Sequence, residues 1–265
     1  LLTIAAAIDS GNYHPNATYL SGSVNIKGTK INDWDTAGWG RIPFYEAVPR
    51  SSNTGLSIIE QTMGAKTWLK YLNRFKVAKK TGITLPGEVS GSLQFQTPLN
   101  QAITSFGQGV DVNVMQMMQY LTTFANKGTE LKPYLVKKIV KNGHTTSYHR
   151  TVVAHPITSS TAKQVLSLMH DVVYKSYGTG QVYQIPGYQI AAKTGTAQIT
   201  GSNGSYLTGS NNYIFSVAGM APAQNPRYIL YVTMQQPQKM TDSAEKILAQ
   251  IFNPLMKRVL DLDKI

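Results

Sequence analysis

The sequence predicts an α+β domain in which an antiparallel sheet is flanked by helices. Helical spacing of apolar residues runs through the first two thirds of the chain, whereas three successive strand patterns, 189–199, 213–220 and 228–235, fill the last third. A closing helix is predicted at 244–260, disturbed at Pro254. Strands that follow a long helical region favour α+β over alternating βαβ units, and no shift in composition marks a boundary. We therefore expect a single domain over residues 1–265.

The remaining elements are predicted from their start and stop signals. Segment 19–31 contains strand-forming residues without clear alternation, and a hairpin is expected around the turn Asn142-Gly143. Asp111 is expected to begin a helix that ends at Gly128, and Ser159 or Ser160 is expected to cap another. Other helical segments are predicted at 1–8, 44–47, 54–63 and 67–75.

The composition excludes several classes of protein. Apolar residues make up 42% of the 265 residues and charged residues only 14%, so the chain is folded rather than disordered. The chain has no cysteine, which excludes disulfides and thiolate chemistry, and its five histidines show no metal-ligand spacing. No apolar run is long enough to cross a bilayer. We therefore expect no metal and no cofactor, and any membrane anchor would lie outside these residues.

The net charge of +12 would attract polyanions such as nucleic acid, anionic lipid heads or acidic wall polymers. Basic pairs such as Lys79-Lys80 and Lys137-Lys138 are short and scattered, and no basic stripe is interleaved with aromatic residues. A basic surface alone does not indicate nucleic-acid recognition. We therefore expect no nucleic acid as a partner.

The triplet Ser51-Ser52-Asn53 lies at a predicted helix junction. A hydroxyl and an amide at this spacing could hold a proton shuttle beside a group that orients substrate. Ser and Asn also favour the N-cap position of ordinary helices, and from the triplet alone the cap is the better interpretation.

A second short motif, Lys193-Thr194-Gly195-Thr196, follows the strand-like residues 190–192. Side chains alternate on a strand, so Lys193 and Gly195 share one face while Thr194 and Thr196 share the other. Glycine would let a substrate backbone approach the strand edge closely. Residues 80–82 have the same Lys-Thr-Gly letters, but they lie in a Pro/Gly-rich stretch that predicts a loop without a catalytic role.

Taken together, the two motifs resemble the serine acyltransferases that bind penicillin, which carry Ser-x-x-Lys, Ser-x-Asn and Lys-Thr/Ser-Gly in this order. Nearly the whole chain resembles the transpeptidase domain of class B penicillin-binding proteins, and most closely the division-type enzymes of Gram-positive bacteria such as the penicillin-binding protein 2x type. The matching segments are 5–9, 31–34, 51–55, 81–83, 105–109, 193–198 and 228–232. The fold implied is the penicillin-binding transpeptidase and β-lactamase fold.

One departure from the family is the absence of Ser-x-x-Lys ahead of residues 5–9. In the family that motif opens this helix, which would place its lysine just before Leu1, and two strands of a five-stranded sheet would precede it. We therefore expect this chain to be the larger, C-terminal part of a transpeptidase domain, without the nucleophile and without the N-terminal strands.

The resemblance also implies roles for individual residues. Ser51 would relay a proton, Asn53 would orient substrate and the family lysine, Lys193 would stabilise the active-site network and the substrate carboxylate, and Thr196 would bind that carboxylate and supply an oxyanion-hole N–H. Ser52, Thr194, Gly195 and Gln198 are expected to line the substrate site. Trp34 is expected either to line the cleft or to pack within its loop.

The implied reaction is the cross-linking of peptidoglycan stem peptides through a serine acyl-enzyme, with β-lactams as mimics of the stem. Expected partners are stem peptides, the lipid-linked precursor, β-lactam antibiotics and the division or elongation machinery. The expected location is the outer face of the bacterial cytoplasmic membrane. The alternatives left open are a β-lactamase or β-lactam sensor of the same fold, and an inert fragment that binds cell wall.

Overall fold

The computed structural model describes residues 1–201, 206–209 and 211–263. Its α-helices are α1 Leu2–Asp9, α2 Asn53–Met63, α3 Ala65–Arg74, α4 Pro98–Thr104, α5 Val114–Ala125, α6 Ser159–Tyr174 and α7 Ala244–Leu262. Its strands are β1 Thr18–Leu20, β2 Ser23–Ile26, β3 Thr29–Asn32, β4 Arg41–Pro43, β5 Ser92–Leu93, β6 Val110–Asp111, β7 Glu130–Leu131, β8 Lys138–Lys141, β9 His144–Ser147, β10 Val152–Ala154, β11 Ala191–Gln198, β12 Tyr213–Ala221 and β13 Tyr228–Gln235. Two 3-10 helices, Phe44–Glu46 and Gln181–Tyr183, complete the set.

The main sheet is antiparallel and has three strands in the order β11-β12-β13. Its register pairs Lys193 with Ala218 and Gly195 with Ser216. The other strands form two-stranded pairs. Within the described residues β11 pairs only with β12, so the strand that carries the Lys-Thr-Gly motif has one open edge. The predicted α+β class with an antiparallel sheet is confirmed.

The sheet separates two hydrophobic cores, because successive residues of its strands face opposite sides. Ala218 and Met220 of β12 pack into a core with α1, α2, α3, α5 and α6. Val217 and Ala221 face a second core, which is formed with α7 and includes Phe252. Gly219 lies under the ring of Phe252, where a Cβ atom would come within 2.2 Å of the ring. The absence of a side chain at Gly219 is therefore what lets α7 pack closely on the sheet.

Helix α1 lies inside the first core, and Ile4, Ala5, Ala6 and Ala7 are fully buried. Small side chains without charge let neighbouring helices approach it from several sides. Its C-terminal end is held by Asp9, whose carboxylate accepts hydrogen bonds from Tyr71, Thr158 and Thr161. The C-terminal end of α1 is thereby tied to α3 and to the start of α6.

Several predicted boundaries were wrong. Asp111 does not begin a helix but pairs in β6, and α5 begins at Val114 because Asn113 and Gln116 form a reciprocal capping box. The cap of α6 is Thr158, whose hydroxyl accepts from the Thr161 N–H, rather than Ser159 or Ser160. Helix α4 was not predicted.

Other expectations are confirmed. The hairpin turns at Asn142-Gly143, and residues 80–82 lie outside any helix or strand. The closing helix is also confirmed, but the disturbance expected at Pro254 is not observed, because α7 continues through this residue. Pro254 is exposed, and so is Gln250, the residue whose carbonyl loses its N–H partner. Water can satisfy that carbonyl, so the helix is not broken there.

Candidate active site

The serine of the Ser-x-Asn motif precedes α2 in a left-handed backbone conformation. Ser51 has φ of 56°, a value that costs a non-glycine residue about 1–3 kcal/mol and persists only where neighbours enforce it. Ser52 is the N-cap of α2, since its hydroxyl accepts from the Gly55 N–H at 2.9 Å. The helix cap is therefore Ser52, and the hydroxyl of Ser51 is not used for capping.

Ser52 was expected to line the substrate site, and the structure contradicts this. The residue is fully buried, and its hydroxyl donates to Asp33 Oδ1 at 2.9 Å while capping α2. The hydroxyl thus both donates and accepts a hydrogen bond inside the protein. Ser52 therefore holds the start of α2 instead of facing a substrate.

Asp33 is a buried residue that sequence reasoning did not identify. Its Oδ1 also accepts from the Thr54 N–H at 2.9 Å, and its Oδ2 accepts from the Gly22 N–H at 2.8 Å. One carboxylate therefore joins the loop before Trp34 to the N-terminus of α2, a position that favours negative charge. The matching segment 31–34 was the only sequence signal for it.

Lys193 reaches from β11 to Ser51. Its Nζ donates to Ser51 Oγ at 2.8 Å and to the Thr194 carbonyl at 2.8 Å. Burial lowers the pKa of Lys193 from 10.5 to about 8. Helix α1 packs in the same hydrophobic core as α2 and as Ala191 of β11. The helix that the missing family motif would open therefore belongs to the same group of elements as Ser51 and Lys193.

Asn53 and Trp34 lie next to this contact. The Asn53 amide donates to the Asn32 carbonyl at 3.0 Å, and the Trp34 indole N–H donates to the Arg50 carbonyl at 2.8 Å. The Trp34 side chain remains 64% exposed. Trp34 therefore anchors its loop through the indole N–H and still presents a ring to solvent beside Ser51.

The threonines of the strand motif are arranged differently from Lys193. The Thr194 hydroxyl lies 3.2 Å from Thr179 Oγ1, on the face opposite to Lys193, so its side chain is not in the Lys193–Ser51 contact. Thr196 is exposed and Gln198 ends the strand opposite Tyr213. A Cβ atom on Gly195 would lie 2.5 Å from Ser216 Oγ, so a larger residue there would require the Ser216 hydroxyl to rotate away.

The arrangement has some of the features that acyl transfer to or from an extended peptide would require. The open edge of β11 offers backbone groups to a strand-like ligand, and Lys193 supplies positive charge beside the hydroxyl of Ser51. In the part of the chain that the structure describes, no cluster of three or more His, Cys, Asp or Glu residues could hold a metal ion. None of the described helices combines the length and the apolar character that a membrane span requires.

The contact between Ser51 and Lys193 brings together two of the three motifs carried by the serine acyltransferases that recognise penicillin, and the fold and this motif pair indicate that class. Residues 1–257 match the family described as penicillin binding protein transpeptidase domain. The chain belongs to this family, as its resemblance to class B members predicted.

Three similar proteins illustrate the relationship. Stage V sporulation protein D of Bacillus subtilis is 31% identical over 265 residues, covering 97% of this chain and 40% of that protein. The crystal structure of penicillin-binding protein 2X from Streptococcus thermophilus has a TM-score of 0.91 at 30% identity, covering 98% of this chain and 40% of that one. The structure of penicillin-binding protein 3 from Mycobacterium tuberculosis, complexed with aztreonam, has a TM-score of 0.85 at 28% identity, covering 97% of this chain and 60% of that one. The chain spans 40% and 42% of the length of two curated relatives.

Proposed function

We propose that this chain is the larger part of a peptidoglycan D,D-transpeptidase domain that acts through a serine acyl-enzyme and is acylated by β-lactams. The observation that carries the proposal is the 2.8 Å contact between Lys193 Nζ and Ser51 Oγ, which joins two motifs 142 residues apart. Two unrelated triplets so far apart in the sequence would not be expected to form a direct side-chain hydrogen bond. Membership of the transpeptidase family supports the same reaction.

The nucleophile and its base are assigned to a Ser-x-x-Lys motif carried by the protein ahead of Leu1. Helix α1 packs in one core with α2 and with Ala191 of β11, so a motif that opens α1 would belong to the same group of elements as Ser51 and Lys193. A hydroxyl nucleophile requires an adjacent base, and the motif lysine supplies it. Asn53 then orients that lysine and the substrate amide.

In the acylation step the serine oxygen bonds to the carbonyl carbon of the penultimate D-alanine, and the C–N bond to the terminal D-alanine breaks. Ser51 relays a proton to the leaving amine, and Lys193 holds the relay and attracts the substrate carboxylate. The Thr196 hydroxyl binds that carboxylate and its N–H stabilises the oxyanion. An amine of a neighbouring stem then attacks the acyl-enzyme, which forms the cross-link and frees the serine.

The substrates and location follow from the same assignment. Stem peptides and the lipid-linked precursor lie outside the cytoplasmic membrane, so the site is placed at its outer face with the division or elongation machinery as neighbours. The strand edge beside Lys193 suits an extended stem peptide, with Gly195, Trp34, Thr194 and Gln198 as the surrounding subsite. The net charge of +12 suits an anionic wall or membrane surface.

The test is denatured intact mass before and after incubation with benzylpenicillin, made on the protein that includes Ser-x-x-Lys ahead of Leu1. We expect the polypeptide with that motif to gain one penicillin, and its serine-to-alanine variant to gain none. A native protein that stays unmodified at saturating benzylpenicillin would overturn the proposal. Rapid loss of the adduct would instead identify a β-lactamase.

A further inference from the structure

Arg50, the residue before Ser51, is enclosed more completely than a surface arginine. Its Nε donates to Glu46 Oε2 at 2.6 Å, and the two side chains are only 19% and 13% exposed. Its guanidinium carbon lies 5.1 Å from the ring centroid of Trp39 and 4.8 Å from that of Tyr177. The planar cation thus contacts two aromatic rings and one carboxylate, contacts that arginine can make together and lysine cannot.

The main chain on both sides of Arg50 is tied to three other segments. The Arg50 carbonyl accepts from the Trp34 indole at 2.8 Å, and the Arg50 N–H donates to the Glu46 carbonyl at 2.9 Å. The Pro49 carbonyl accepts from the Thr179 N–H at 3.1 Å. Thr179 in turn meets Thr194 of the Lys-Thr-Gly strand, 3.2 Å between the hydroxyl oxygens. The segment leading into Ser51 is therefore connected to β11 through the loop that contains Tyr177 and Thr179.

This arrangement explains how the backbone of Ser51 is kept in its left-handed conformation. A residue with φ of 56° relaxes unless its neighbours hold it. Ser52 fixes the side that leads into α2, and the contacts of Arg50 fix the side that leads in from the 3-10 helix Phe44–Glu46. With both sides fixed, Ser51 Oγ stays within hydrogen-bond distance of Lys193.

We propose that Arg50 is a positioning residue for Ser51 and that Trp39 and Tyr177 act through it. The inference rests on the proposed function, because Ser51 relays a proton only in an acyl-transfer reaction. Loss of the guanidinium would let Ser51 move by a fraction of an ångström away from Lys193. Displacements of about 1 Å in a catalytic group cost up to about a hundredfold in rate.

The test compares Arg50→Lys with Arg74→Lys. Arg74 makes the same kinds of contact away from the site, with its guanidinium 4.9 Å from the Tyr71 ring and 3.6 Å from Asp9, and is 42% exposed. In the protein with Ser-x-x-Lys, we expect Arg50→Lys to lower the acylation rate constant for benzylpenicillin at least about tenfold. The non-covalent dissociation constant should change by less than about twofold, and Arg74→Lys should leave both unchanged.

Tyr177→Leu and Tyr177→Phe provide a second pair, which decides the question if Arg50→Lys does not fold. The ring is kept in Tyr177→Phe, so this variant should acylate normally while Tyr177→Leu is slowed. Acylation of Arg50→Lys and Tyr177→Leu at the unchanged rate would overturn the positioning role. If the unsubstituted protein forms no acyl-enzyme at all, it is the proposed function that fails. In that case, NMR titration of Lys193 Nζ still reports whether Arg50→Lys displaces Ser51. A changed pH midpoint of this titration in Arg50→Lys, but not in Arg74→Lys, would support the positioning role of Arg50. An unchanged midpoint in Arg50→Lys would refute that role.

Discussion

At the scale of single residues, Lys193 combines two properties that the Lys-Thr-Gly letters alone do not provide. It is hydrogen-bonded to Ser51, and burial lowers its pKa to about 8. Lys80 is likewise followed by Thr-Gly, but it lies in a loop and contributes its charge near Glu88 instead. The two lysines therefore form a natural pair for mutation.

Lys193→Ala in the complete transpeptidase should slow acylation by benzylpenicillin at least about tenfold, because a group that stabilises developing charge is lost. Lys80→Ala should acylate at the unsubstituted rate. The measurement is the second-order acylation rate constant by stopped-flow or mass spectrometry. An unchanged rate for Lys193→Ala would remove this residue from the mechanism.

The lowered pKa of Lys193 makes a prediction about pH. The ammonium form attracts the substrate carboxylate, and this form is lost as pH rises through about 8. Second-order acylation, which reports the free enzyme, should therefore decrease above that pH. Lys193→Arg does not titrate in this range, so whatever activity it retains should not show that decrease. A rate that rises across pH 8 would show that the neutral amine is the active form.

At the scale of elements, the contact between α5 and β7 contains a buried acid. Gln119 Nε2 donates to Glu130 Oε1 at 2.6 Å, whereas Gln119 Oε1 and Glu130 Oε2 have no hydrogen-bond partner among the residues that the structure describes. Burial raises the pKa of Glu130 from 4.5 to about 7, with the Gln119 hydrogen bond and the charge of Lys76 opposing it. The folded protein thus holds a proton at Glu130 where the unfolded chain does not.

Glu130→Gln should reduce the pH dependence of stability. For an acid whose folded pKa is raised, the folded state binds more protons between the two pKa values, so the free energy of unfolding falls as pH rises from about 4.5 to about 7. One unit of pKa shift corresponds to about 1.4 kcal/mol. The neutral amide should flatten this slope, measured by urea unfolding at several pH values.

Glu88→Gln is the control for that experiment. Burial alone would raise the pKa of Glu88, but hydrogen bonds from Thr81 and Gly82 and the nearby Lys80 lower it below its ordinary 4.5. The contribution of Glu88 to the free energy of unfolding is therefore lost only as pH falls below about 4.5. The slope of the free energy of unfolding against pH between 5 and 7 should be the same in Glu88→Gln as in the unsubstituted protein. Equal slopes for the unsubstituted protein and Glu130→Gln would contradict the assignment.

At the scale of the whole molecule, the sheet is shared by two cores. β12 supplies Ala218 and Met220 to one core and Val217 and Ala221 to the other. Phe252 of α7 is fully buried on the second side, 5.3 Å from the Tyr183 ring and in contact with Gly219. Because both cores use the same strands, a substitution that destabilises one core should also destabilise the other.

Phe252→Ala should lower the free energy of unfolding by about 3–5 kcal/mol, the usual cost of deleting a buried phenylalanine. Leu255→Ala, an exposed position on the same helix, should change it by less than about 0.5 kcal/mol. We expect one cooperative transition in every case, by circular dichroism and by tryptophan fluorescence. Separate transitions for the two probes would divide residues 1–265 into two units.

Much of this fold could be predicted because its signals are local. Alternating and helical spacing identified all three strands of the main sheet and the approximate positions of α1, α2, α3, α6 and α7. Boundaries failed where a single side-chain hydrogen bond decides them, as at Asn113 and Thr158. These caps depend on the rotamer of one residue, which the pattern of apolar residues does not encode.

The sequence by itself determined the α+β class and the two motifs whose order indicates an acyltransferase, because periodicity and motif order are properties of the chain alone. Only the tertiary structure decided which serine of the triplet caps α2, that Thr194 lies beside Thr179, and that Asp33 and Arg50 hold the segment around Ser51. Those distinctions depend on contacts between segments far apart in the chain, where distance, burial and backbone angle select one of several chemically equivalent groups.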